Sequence, residues 1–125
     1  MQYLVISRGQ WDADLSREQI QDAIDRFYAW HGRLVGEGRM QPGQRLAIEG
    51  KLVSKQRVID GPYAEAKEVI GGYWFVEAGS LEEAAALLSG SPCLPCGLAY
   101  EVRPIDPQRC SAYALTNETP ANQAS

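Results

Sequence analysis

The order of periodic segments in this 125-residue chain predicts an α+β fold. Apolar segments of strand and helix period come in the order strand, helix, strand pair, strand, helix, strand. Each helical stretch opens on a serine followed three positions later by Gln or Glu, the signature of a capped helix start. The length and the 45% hydrophobic content are enough for one core, burying roughly two-thirds of the unfolded surface.

"QYLVISR" is the first strand. Ser16 caps the first helix, with Gln19 completing a capping box. Ile20, Ile24, Phe27, His31 and Leu34 recur at helical spacing, flanked by Ala23 and Val35, until "GEG" ends the helix. "RLAIEGKLVSKQRVI" reads as a hairpin turning near Glu49 and Gly50, and Asp60 with Gly61 as a second tight turn, because Asp-Gly tolerates the dihedrals such turns need. In "VIGGYWFVEA", a further strand, Gly71 and Gly72 mark a bulge or a close backbone approach. Ser80 and Glu83 make a second capping box at the start of the second helix, Leu81, Ala84, Ala85 and Leu88 form its buried stripe, and Gly90 with Pro92 stops it. "LAYEVRPI" is the last strand. From Asp106 the chain is polar, small and without period, which predicts a domain over residues 1–105 and a mobile tail over 106–125.

This order is the split βαβ pattern of ferredoxin-like folds, βαββαβ with an extra hairpin, with two helices on one face of an antiparallel sheet. The other face is left uncovered. Tyr73 and Phe75 alternate with Trp74 and Val76, so the third main strand is apolar on both sides. That pattern calls for a partner subunit or a ligand cavity. On the last strand Leu98, Tyr100 and Val102 share one face, and if these meet the helices, Glu101 and Arg103 point to the open side, as a ligand-orienting pair or as a plain ion pair at a subunit boundary.

The formal net charge of −4, with no basic run interleaved with aromatics, argues against nucleic-acid binding. The N-terminus lacks the charge and apolar run of a signal peptide, and no segment approaches about 18 apolar residues, so a cytoplasmic protein that does not enter membranes is expected. An odd count of three cysteines suits a reducing compartment. Cys93 and Cys96 have Cys-x-x-Cys spacing, but with Gly97 and a strand following they read as a proline-stiffened loop of small thiols. A zinc site would need Cys93, Cys96, Cys110 and His31 together, so no metal and no cofactor are expected.

"DGPYAEAKEVIGGYWFVEAGSLEEAAALL", followed by "EVRPI", resembles the DGPF group of YCII-related proteins, the Asp-Gly-Pro-Phe turn reading Asp-Gly-Pro-Tyr here. The resemblance spans residues 1–105. It implies a subunit that dimerises through its sheet into an α/β barrel, consistent with the uncovered face. It also implies lyase or dehydrochlorinase-like chemistry in some members, a His–Asp pair in the YCII branch, and extracytoplasmic-function sigma factors as regulatory partners. The DGPF group looks more often aliphatic at the position of His31. This lone histidine is therefore read as a packed or rim residue without a catalytic role, and the His–Asp pair is not carried onto it.

Two functions stay open. The first is binding of a small apolar or aromatic ligand in a barrel cavity, with acid–base chemistry. Its catalytic candidates are Asp60, Glu65 and Arg103, and its ligand-binding candidates are Tyr63, Lys67, Gly71, Gly72, Tyr73, Trp74 and Glu101. A carboxylate at an apolar mouth gains basicity by desolvation, and Lys67 or Arg103 would hold an anionic group. The second is a non-catalytic homodimeric module that binds a protein partner, in which the same loop charges only lock the dimer.

Overall fold

The computed structural model describes residues 1–61 and 69–123. A four-stranded antiparallel sheet is built from β1 (Gln2–Arg8), β2 (Met40–Arg45), β5 (Ile70–Glu77) and β6 (Ala99–Pro104), in the order β2-β5-β1-β6. The helices α1 (Arg17–Gly36) and α2 (Leu81–Leu88) and the separate hairpin of β3 (Lys51–Val53) and β4 (Val58–Asp60) complete the elements. Stripped of the hairpin, the order is the ferredoxin-like one, with the first and fifth strands paired at the centre.

Strand alternation places the core. Tyr3 and Val5 of β1 lie opposite Val76 and Trp74 of β5, and all four are buried. Leu34 of α1, Met40 of β2, and Ala84 and Leu88 of α2 close over them, so both helices pack on this one face. Burying side chains of this size contributes about 1.5–3 kcal/mol each for the larger ones. Ile6, Leu4, Tyr73, Phe75, Glu101 and Arg103 alternate onto the opposite face, which no element covers among the described residues.

Both helix starts follow from their serines. Ser16 accepts from the Gln19 amide, and the Gln19 side chain accepts from the Ser16 amide at 2.8 Å, a complete capping box. At α2 the Ser80 side chain accepts from the Glu83 amide, but the Glu83 carboxylate reaches past the cap to the Gly79 amide. The α2 stripe is narrower than the helical spacing predicts: Ala84 and Leu88 are buried and Leu87 is half-buried, while Leu81 and Ala85 are exposed. Eight residues make only two turns, and the sheet covers one side of them.

The hairpin departs from the expected turn near Glu49 and Gly50. Pro42 and Gly43 look like breakers but lie inside β2 as a bulge, because the register slips between Gln41 and Gln44 opposite β5. The hairpin turns instead at Ser54–Arg57, where the Ser54 amide and hydroxyl both donate to the Arg57 carbonyl. Asp60 is consequently the last residue of β4 and not a turn residue, and Gly61 does not adopt positive φ. After β6 the tail holds turns and one 3-10 turn over Ala121–Gln123, with no strand or α-helix among the described residues. No helix among them is long and apolar enough to cross a membrane.

Candidate functional site

Two bulges at one end of the sheet open space on the helix side. In β2 the Gly43 backbone passes so close to β5 that an added Cβ would stand 1.8 Å from the Tyr73 carbonyl oxygen. In β5 the register against β1 shifts between Ser7 and Arg8, which pair with Gly72 and Ile70 and leave Gly71 unpaired. A Cβ on Gly72 would meet the Gln44 carbonyl at 2.7 Å. Only glycine fits either close approach.

Beside these bulges a cavity of about 880 Å³ lies between α1 and the sheet. Phe27, Tyr28 and His31 of α1 form one wall, and Trp11, Trp74 and Tyr100 stand among the aromatic residues around it. The rings are mutually locked. Phe27 stacks on His31 at 5.5 Å and 14°, meets Trp74 at 5.4 Å, and Trp74 meets Tyr100 edge to face at 5.0 Å. Spacing of four residues on α1 is what sets Phe27 above His31.

Two polar atoms in this cluster, His31 Nε2 and Trp74 Nε1, have no hydrogen-bond partner among the described residues. Trp74 is only 5% exposed. A buried N–H or ring nitrogen left unpaired costs about 1–3 kcal/mol. The edge-on rings offer at most a weak N–H to π contact. Burial holds the His31 pKa below its ordinary 6.5, so the ring is neutral at neutral pH. Deeper in, the Tyr100 and Ser91 hydroxyls share a 2.7 Å hydrogen bond, and burial pushes the Tyr100 hydroxyl well above its usual range.

Cys93 also lines the cavity. A single 3-10 turn, Leu94–Cys96, does follow it, against the expectation that no helical start would, and Gly97 ends that turn at φ 108°. Burial nevertheless raises the Cys93 thiol pKa, the opposite of what a redox cysteine requires, and all three cysteines are free.

The sequence candidates divide between two regions. Gly71, Gly72 and Trp74 line the cavity; Tyr73 borders it as well, but its ring packs on Phe75 on the opposite face of the sheet. Glu101 and Arg103 stand across the sheet from it: Glu101 accepts from Arg8 Nε at 2.8 Å and from Arg103 at 3.2 Å, and these two arginines, Arg8 foremost, hold its carboxyl below the usual range. Half-exposed pairs of this kind contribute below about 1 kcal/mol. Asp60 sits at the hairpin base, its side chain 77% exposed and paired with the Lys51 ammonium. Tyr63, Glu65 and Lys67 lie outside the described residues. The residue that sequence reasoning set aside is His31. Its signal was available: His31 and Trp74 are both polar-tipped rings at core-facing positions, where apolar side chains would suffice.

A family model described as the YCII-related domain matches residues 1–107. The chain belongs to the YCII-related family. Another sequence similar to this YCII-related protein is an uncharacterized protein of Rhizobium meliloti (strain 1021), 31% identical over 98 residues, which are 76% of this chain and 79% of that protein. Among solved structures, 5-chloro-2-hydroxyhydroquinone dehydrochlorinase (TftG) from Burkholderia phenoliruptrix AC1100, in complex with 2,5-dihydroxybenzoquinone, aligns with a TM-score of 0.47 at 18% identity, over 85% of this chain and 94% of its own. Hydroxynitrile lyase from Passiflora edulis aligns with a TM-score of 0.43 at 15% identity, over 87% of this chain and 97% of its own. Both likenesses are too distant to speak for the chemistry of the cavity.

Proposed function

We propose that this YCII-related protein binds a small aromatic ligand in the cavity between α1 and the sheet, and that His31 takes a proton from it. The observation that carries this reading is a pair of buried nitrogens without partners among the described residues, His31 Nε2 and Trp74 Nε1, in rings 5.7 Å apart that both line the cavity. A neutral imidazole nitrogen acting as a base accepts a hydrogen bond and an indole N–H donates one, so a ligand hydroxyl can satisfy either and a ligand carbonyl can satisfy the indole. Both atoms are buried, so a ligand reaches them by displacing a neighbouring side chain. The aromatic wall supplies stacking and excludes water, which strengthens each polar contact made inside.

Thermal-shift screening of small phenols and aryl ketones, followed by calorimetry on His31→Gln and Trp74→Phe, tests it. Each variant should fold and lose about tenfold in affinity for the best fragment, as expected for one hydrogen bond. Unchanged affinity in both variants would refute it.

We also infer a homodimer through the uncovered sheet face, supported by Leu4, Ile6, Tyr73 and Phe75 lying side by side as cross-strand neighbours. The non-catalytic alternative, a module for a protein partner such as an extracytoplasmic-function sigma factor, draws support from the hairpin, where Ile48, Leu52, Val53 and Val58 are exposed. A partner bound there would leave the cavity nitrogens unused.

A further inference from the structure

The ligand site proposed above has one formally charged side chain on its wall among the described residues, Arg45. The chain as a whole carries a net charge of −4. Five other arginines find carboxylates: Arg8 and Arg103 take Glu101, Arg26 takes Asp22, and Arg33 and Arg39 take Glu37, whereas Arg17, Arg57 and Arg109 stand away from the cavity wall. Arg45 has no carboxylate within ion-pair distance among the described residues. Backbone geometry holds it at the cavity. Arg45 ends β2 opposite Gly72, and its Nη1 lies 3.1 Å from where a Cβ on Gly71 would stand, so the guanidinium rests on the bulge that Gly71 forms. A Cβ at 71 would make the guanidinium shift by a few tenths of an ångström.

We propose that the ligand is an aromatic oxyanion, its charged group received by Arg45 at the cavity rim and its ring held among Phe27, Tyr28 and Trp74. The chemistry follows from the donor set. A guanidinium is planar, always charged and presents parallel N–H groups that match a planar oxyanion. No acidic side chain among the described lining residues competes for it. The ring cluster on the same lining offers a neutral base and an indole N–H, which suit an uncharged hydroxyl on the same ligand. A ligand with one charged end and one neutral polar end is thereby oriented in a single sense. This assignment rests on the cavity reading and narrows it.

Benzoate and its neutral isostere benzamide separate the two statements. By calorimetry at low ionic strength, benzoate should bind the wild-type protein about tenfold more tightly than benzamide, and raised salt should narrow the gap. Arg45→Gln, at an exposed position, should fold normally and reduce benzoate to the level of benzamide while leaving benzamide unchanged. Arg45→Lys should retain part of the preference, since it keeps the charge and loses the fork. Equal binding of the two compounds to the wild type, or a preference that survives Arg45→Gln, would overturn the oxyanion assignment and leave the cavity reading standing. Binding of neither compound at millimolar concentration would overturn both.

Discussion

The rings of His31 and Trp74 meet edge to face, their centroids 5.7 Å apart at 78°, and neither His31 Nε2 nor Trp74 Nε1 has a hydrogen-bond partner among the described residues. One ring comes from the middle of α1 and the other from the central part of β5, so the contact is also a rivet between helix and sheet. Packing alone would be served by two aliphatic side chains. Two polar tips kept there without partners make this junction the place in the fold where a ligand has most to offer.

His31 makes the stability of the protein dependent on pH. Its folded pKa lies below the unfolded value of 6.5 because burial disfavours the imidazolium. As pH falls below about 6.5 the unfolded chain takes up a proton that the folded chain refuses, so stability is full above that pH and is lost on acidification. It is the only histidine. Chemical denaturation should show stability falling from pH 7 to pH 5 in the wild type and a nearly flat profile in His31→Gln. Glu101, also depressed in the folded state, contributes its own loss only below its ordinary 4.5. Equal slopes for the two proteins between pH 7 and 5 would refute the assignment.

Two glycines should respond to alanine in opposite directions. At Gly43 the new Cβ would stand 1.8 Å from the Tyr73 carbonyl, so the strand pair must part, at about 3 kcal/mol or more. Gly32 lies inside α1 with nothing within 4 Å of the added atom, and Gly32→Ala should stabilise by about 0.5–1 kcal/mol. Thermal melts of both variants measure the contrast. A tolerated Gly43→Ala would mean that β2 does not approach β5 as described.

The uncovered sheet face should be where two copies meet. Phe75→Asp puts a charge among Leu4, Ile6 and Tyr73 without touching Trp74 and Val76 on the other side. Sedimentation of the wild type at micromolar concentration should give a dimer and that of the variant a monomer with native circular dichroism. A monomeric wild type would refute the dimer.

Strand alternation over Tyr73–Val76 and the caps at Ser16 and Ser80 were legible in the sequence, because period and capping are local properties. The same alternation correctly sets Tyr100 toward the helices, against Trp74, and Glu101 and Arg103 away from them. The position of the cavity was not legible. It depends on how far α1 stands from the sheet beside the two bulges, a distance that no local pattern carries. The carboxylates and arginine first singled out are conspicuous because charges stand out in a sequence, but Glu101 and Arg103 satisfy each other on the far face and Asp60 is taken by Lys51. His31 was hidden by its own regularity, since a histidine in an apolar stripe has the spacing of a leucine. Pro42 and Gly43 misled the reading of β2 because a bulge uses the residues that elsewhere break a strand.

The most direct test of the cavity as a ligand site is a two-dimensional 1H–15N spectrum recorded while an aromatic fragment is titrated in. The chain has three tryptophans, Trp11 and Trp74 on the cavity and Trp30 on the cleft between the two helices, and Trp74→Phe identifies the Trp74 indole signal. The Trp74 indole N–H should move downfield and saturate with the fragment, as an unpaired donor gains an acceptor, while the amides of Leu4, Ile6 and Arg103 on the opposite face stay nearly still. A bound fragment that shifts those amides and leaves the Trp74 indole unmoved would contradict the account.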